Sequence, residues 1–177
     1  MKKTLVAILL IFCVLSITAQ DTLRDDARVR RNVRIVLGTE ATLYAASMTG
    51  LYFAWYAGYP QTSFHFYDDN AEWLLMDKGG HLATSYIVGS FGYQLLKDAG
   101  LDEKRSIWLG GTLGFAFLTT IEVFDGFSQG WGFSWGDMAA NALGAGLFIG
   151  QQFLWHEQRI MIKYSFHTTE FPKYRPD

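Results

Sequence analysis

Fixed charges are absent from four long stretches of the chain, 41–67, 79–96, 106–121 and 138–155. Each stretch is rich in Leu, Ala, Gly, Phe, Tyr and Trp. The pattern predicts four helices, at roughly 30–58, 70–99, 103–126 and 135–157. Boundary signals support these limits. Asp69 with Glu72, and Ser134 with Asp137, have capping-box spacing. Ala99-Gly100 suits a helix stop. Asp102-Glu103 puts acid at a helix start, where the dipole favours it, and Pro60 closes the first helical region. After Trp155 the period changes. Positions 160, 162, 164 and 166 are apolar while 159, 163, 165 and 167 are polar, the alternation of a β-strand with one buried face. The expected fold is therefore mainly α: an antiparallel four-helix, membrane-associated bundle with a short C-terminal β-strand.

Small residues refine this picture. Ala142, Gly146 and Gly150 recur every four residues, as do Gly110 and Gly114. Such ridges let helix backbones approach closely, a habit of membrane bundles. Glycine at this density costs helix stability in water. The alternative is a very apolar soluble bundle in which the glycines relieve crowding.

The N-terminus reads as an address. Lys2 and Lys3 precede the apolar run 4–17, and Thr18-Ala19-Gln20 gives way to charged Asp21. This is the layout of a secretory signal peptide, too short for a membrane span of roughly 20 residues. The expected organisation is a signal peptide at 1–20, a helical bundle domain at 21–158, and a C-terminal strand and tail at 159–177. Cys13, the sole cysteine, lies within the apolar core of the signal, a poor place for lipid attachment. It leaves no disulfide framework and no thiolate metal site.

Composition sharpens the class. Half the residues are hydrophobic, 16% are aromatic and 18% are charged, against about 25% charged in ordinary soluble domains. Disorder is excluded. The formal charge of −2, with no basic block, gives no sign of a nucleic-acid partner. Running the helices up, down, up, down collects Arg24, Arg28, Arg30, Arg31, Arg34, Lys97, Lys104, Arg105, Arg159 and Lys163 at one end. Asp68, Asp69, Glu72, Asp77, Glu122, Asp125 and Asp137 collect at the other, with Lys78 the expected lone positive charge there. An inner-membrane protein inserted after signal cleavage would then carry its basic end outside, against the positive-inside rule. The periplasm or outer membrane of a Gram-negative bacterium has no such conflict, and the inner membrane is the alternative.

Three short motifs converge on the acidic end. Asp77-Lys78-Gly79-Gly80-His81 starts the second helix, with Asp77 and His81 four apart on one face. Glu122-Val123-Phe124-Asp125 ends the third. Ser134-Trp135-Gly136-Asp137, followed by Asn141, starts the fourth. An antiparallel bundle brings Asp77, Lys78, His81, Glu122, Asp125, Ser134, Asp137 and Asn141 together as a polar cluster. Charges in apolar surroundings must be paired, metal-bound or wet. The cluster is thus a hydrogen-bonded latch, a ligand or metal site, or a catalytic site. For catalysis His81 is the natural base, oriented by Asp77. For a divalent metal ion the candidate ligands are His81, Glu122, Asp125 and Asp137, a set suited to Zn, Mn or Ca. Other motifs fail: His156-Glu157 lacks the second histidine of a zinc-protease helix, and no serine sits in a Gly-x-Ser-x-Gly elbow. Glu40 is expected to pair an arginine. The aromatic run 52–56 suits an interface or a core equally, and the loop 130–135 suits a lid or lipid contact.

Asp77-Lys78-x-x-His81, Glu122-x-x-Asp125 and Gly132-x-Ser134-Trp135-x-Asp137 with Gly144, in that order, resemble the YfiM-like family of predicted periplasmic lipoproteins over roughly 74–150. The order is also distantly similar to the VanZ-like membrane proteins, with Asp125 where a glutamine is expected. The resemblance implies a Gram-negative envelope protein and no particular mechanism. The expected function is an exported, membrane-associated cell-envelope protein that binds or supports a lipid, a cell-wall precursor or a partner protein. The alternative is a metal-assisted hydrolase or transferase acting on a lipid or cell-wall headgroup. Expected partners are membrane lipid and, because the 159–167 strand lacks a mate in this chain, another protein or a second copy. A chain continuing past Asp177 would supply the missing strands itself.

Overall fold

The computed structural model describes residues 27–71 and 73–165. The expected signal peptide, Glu72 and positions 166–167 of the expected strand lie outside the described residues. Helix α1 spans Ala27–Leu51 and runs on as a π-turn, Tyr52–Tyr56. A short 3-10 turn, Trp73–Leu75, leads into α2, Met76–Asp98. Helices α3, Glu103–Gly111, and α4, Leu113–Gly126, form a 24-residue rod interrupted only at Thr112. Helix α5 is Trp135–Trp155.

Local chemistry explains most boundaries. Asp102 Oδ1 accepts the Arg105 N–H at 3.1 Å and caps α3. Ser134 Oγ accepts the Asp137 N–H at 3.2 Å and caps α5; each contact satisfies an amide that a helix start leaves without a partner. Gly100, at φ +94°, turns the chain out of α2. The start of α2 departs from expectation. Asp69 does not cap it; the helix begins seven residues later, after Leu74 and Leu75 adopt left-handed conformations at φ 52° and 61°. Branched side chains rarely accept that region, so this turn holds backbone strain beside the acidic end.

Helix α2 is the hub. A Cβ at Gly110 would lie 2.1 Å from Tyr93 N, one at Gly114 2.3 Å from Ser85 O, and one at Gly144 2.2 Å from Leu82 O. The backbones of α3, α4 and α5 therefore press directly on α2. Gly146 and Gly150 face open space, so the expected Ala142/Gly146/Gly150 ridge is not a packing seam. Tyr86, Tyr93, Ile107 and Phe148 fill the centre, and Val33 of α1 packs with Leu96, Ala99 and Leu101 near the basic end. Helix α1 runs alongside the α3–α4 rod: the Tyr44 and Thr120 hydroxyls are hydrogen-bonded, and Tyr56 reaches Asp125. Glu40 is buried, with Oε1 unpartnered.

At the acidic end two loops pair. Thr62 and His65 donate their N–H groups to Phe127 O and Gly126 O, both at 2.9 Å. Tyr67 N–H donates to Phe133 O, and Phe133 N–H to His65 O, both at 3.0 Å. Rings of Phe64, Phe66, Phe133 and Trp135 close over this seam.

The expected C-terminal strand is absent from its described part, 159–165, which is irregular. A side-chain clasp replaces strand pairing. Gln151 Oε1 accepts the Ile160 N–H at 2.7 Å, while its Nε2 donates to Ile160 O at 3.0 Å. The Tyr86 hydroxyl also donates to Ile160 O, and Gln158 Nε2 donates to Phe148 O. Of the alternating apolar side chains, Ile162 packs partly buried against the core, while Ile160 and Tyr164 stay exposed.

Two outcomes follow in unfolding and exchange experiments. Gly114→Ala destabilises the bundle by about 1–3 kcal/mol, as overpacking does. Gly146→Ala is neutral or stabilises by up to about 1 kcal/mol through helix propensity; equal effects in urea melts would refute the packing described. Gln151→Leu frees Ile160, so its amide exchanges roughly tenfold faster or more, as in local opening, while bundle-core amides are unchanged.

Candidate functional site

Lys78 anchors the acidic end. Its Nζ lies 2.6 Å from Asp69 Oδ1, 3.0 Å from Asp137 Oδ1 and 3.5 Å from Asp77 Oδ2. The ammonium is mostly buried and Asp137 almost wholly so. Gly136 makes room: a Cβ there would sit 2.2 Å from Asn70 Oδ1 and 3.0 Å from Lys78 Cε. Asp69 also accepts the Ser134 hydroxyl at 2.7 Å. One cation thereby joins the paired loop, α2 and α5.

His81 lies one turn further along α2. Its Nδ1 is 3.0 Å from Asn141 Oδ1. An amide oxygen only accepts, so Nδ1 is the donor of this pair. Nε2 lies 3.7 Å from Asp77 Oδ1 and 3.7 Å from Glu122 Oε1. Asn141, rather than Asp77, orients the ring. Asn141 is itself fixed from below, where Ser85 Oγ donates to its backbone oxygen at 2.7 Å.

Glu122 is the most deeply placed acid, 1% exposed. Its Oε2 accepts the Ser134 N–H at 3.0 Å, whereas its Oε1 is buried with no hydrogen-bond partner and faces His81. Burial pushes its pKa to about 8; the Ser134 amide opposes this, and the charges of Asp137, Asp125 and Asp77 add to it. Burial also raises Asp125, to about 6, against the hydrogen bond from Tyr56. Burial raises Asp137 in spite of Lys78. Burial acts the same way on Asp69, but hydrogen bonds from Lys78 and Ser134 outweigh it and hold Asp69 below its ordinary value.

The structure thus brings together Asp77, Lys78, His81, Glu122, Ser134, Asp137 and Asn141. Asp125 stands aside: its Oδ1 accepts the Tyr56 hydroxyl at 2.6 Å. Two members were missed from sequence, Asp69 and Tyr56. Asp69 was readable as one of the acids at this end; Tyr56 carried no signal within its apolar run. One ligand atom each from Asp77, His81 and Asp137 lies within 4.8 Å of the others. Asp77 is half-exposed and His81 reaches the surface, so the cluster opens to solvent on one side.

Residues 65–150 match the model of a family described as predicted periplasmic lipoprotein (DUF2279). The protein is exported, to the periplasm or outer membrane. The matched segment carries every acidic-end residue above except Tyr56, while α1 and the Gln151 clasp fall outside it. No curated protein and no solved structure is matched by the chain.

The raised carboxyls fix the sign of a pH effect. Folded Glu122 holds its proton to about pH 8, whereas the unfolded chain releases it near 4.5. The stabilisation is complete below about 4.5 and is lost as pH climbs towards 8. Asp125 adds the same sign between 3.8 and about 6. Chelator-treated protein should therefore lose thermal stability from pH 5 to 8, by up to a few kcal/mol. Glu122→Gln flattens that slope; an unchanged slope refutes the assignment.

Proposed function

We propose that this exported protein is a membrane-associated component of the envelope that binds an amphipathic envelope molecule, a lipid or a lipid-linked cell-wall precursor. The polar head meets the Asp77–His81 edge and the apolar part lies along the outward side of α2. The carrying observation is the continuity of that side. Helical spacing places Asp77, Thr84, Val88 and Phe91 on one face, and Phe91 is 67% exposed. Trp108, Leu143 and Leu154 are further large apolar side chains turned outward, and contiguous exposed apolar surface marks interaction sites. The Glu103–Gly126 rod is long and apolar enough to cross a membrane, and it is only partly buried in the fold. A cleaved signal peptide at 1–20 completes the reading. Cys13 lies inside that segment, so attachment rests on apolar surface rather than on an acyl chain. The motif order shared with YfiM-like and, distantly, VanZ-like proteins supports an envelope role.

Flotation with vesicles of mixed zwitterionic and anionic phospholipid tests this. The protein floats with the vesicles, and Phe91→Ser combined with Leu143→Ser reduces binding roughly tenfold through lost apolar area. Absence of vesicle binding by the wild-type chain, or binding indifferent to both changes, overturns it. A second reading, a metal-assisted hydrolase or transferase acting on the same headgroup, is favoured by one observation: His81 Nε2 faces the carboxyl groups of Asp77 and Glu122 at a solvent-open edge. Headgroup release from such vesicles, lost in His81→Ala, would select it.

A further inference from the structure

His81 Nε2 faces Asp77 Oδ1 and Glu122 Oε1, both at 3.7 Å, and the buried Glu122 Oε1 has no hydrogen-bond partner. Asp69, Asp77 and Asp137 converge on Lys78, and a cation beside His81 would give Glu122 Oε1 the partner it lacks. A tetrahedral ion with bonds of about 2.0–2.2 Å holds its ligand atoms roughly 3.4 Å apart, close to the observed 3.7 Å. Asp137 belongs to the same group, its ligand atom within 4.8 Å of those of Asp77 and His81, and joins by a contraction of up to about 1.4 Å to tetrahedral spacing. The outer support is also in place. Metal-bound histidines donate their second ring N–H to an oxygen that fixes the ring, as His81 Nδ1 does to Asn141 Oδ1 at 3.0 Å.

We propose that the acidic end is a divalent-cation site of the Zn2+ or Mn2+ class, held by His81 Nε2, Asp77 and Asp137, with Glu122 Oε1 as a fourth donor. One imidazole among carboxylates suits those ions better than Mg2+ or Ca2+. Lys78 is the built-in competitor. When the ion takes Asp137, Lys78 keeps its shorter contact with Asp69, and a charge exchange replaces the ammonium on Asp137. The proposal rests on reading the acidic end as the working end of the molecule, and it gives that end a means of meeting an anionic headgroup.

The test is isothermal titration of untagged, chelator-stripped full-length protein with Zn2+, Mn2+ and Mg2+, with vesicle flotation in parallel. The expected result is one saturable Zn2+ equivalent that raises the melting temperature, with Mg2+ much weaker. Asp77→Asn, at a half-exposed position that leaves the fold intact, weakens Zn2+ roughly tenfold or more, in line with the loss of a direct donor. Lys78→Gln tightens it if the variant folds; a folded Lys78→Gln with unchanged or weaker affinity removes the competitor role. No saturable Zn2+ or Mn2+ binding, or binding indifferent to both Asp77→Asn and His81→Asn, overturns the site. Vesicle binding that persists without ion binding sinks this proposal and leaves the membrane reading standing; the reverse sinks the membrane reading alone.

Discussion

The buried ammonium of Lys78 holds the acidic end together. Among the described residues it is the one lysine at that end, and three elements converge on it through Asp69, Asp77 and Asp137. A buried charge without partners is far more costly than a paired one. Removing one member of such a set typically costs about 3–5 kcal/mol, although an apolar replacement of the whole set is often neutral. Specificity is therefore the better account of its presence. The ammonium fixes where the 60–70 loop sits on α2 and α5, and that loop in turn brings Asp69 to the Ser134 hydroxyl. Ser134 then serves two partners, capping α5 with its oxygen and giving its own amide to Glu122.

Below this knot the constraint is steric. Helix α2 touches neighbours through glycine on two sides, so the bundle approaches at backbone distance. Close approach carries α4 and α5 in until Glu122 and Asn141 reach His81. Large apolar side chains, among them Ile87, Phe91, Trp108 and Leu143, remain exposed on the outside of the bundle.

Much of this was legible in the chain. The four charge-free stretches mark the four helical rods, because a charge is expensive between packed helices. Ser134, Asp102 and Gly100 act where their chemistry says they should. Other features were hidden by competition between partners. Asp69 has capping spacing to Glu72, yet Lys78 offers it an ion pair, which a backbone amide cannot match. Asp125 shares a face with Glu122, but a tyrosine from α1 takes it. Repeating small residues at 142, 146 and 150 look like a seam; which glycines are used depends on helix rotation, and periodicity within one helix does not report that. The pairing of 61–67 with 126–133 joins two loops of mixed polarity and has no period to read.

The Gln151 clasp has an evolutionary consequence. It grips the peptide groups of Ile160 and ignores that residue's side chain. Any residue but proline at 160 offers the same N–H and C=O. The tether is thus blind to the side chain at 160, which is free to diversify while Gln151 and Gln158, whose own side chain bonds Phe148 O and Gln152, hold the segment in place. New surface chemistry can accumulate at that position at no cost to the anchor.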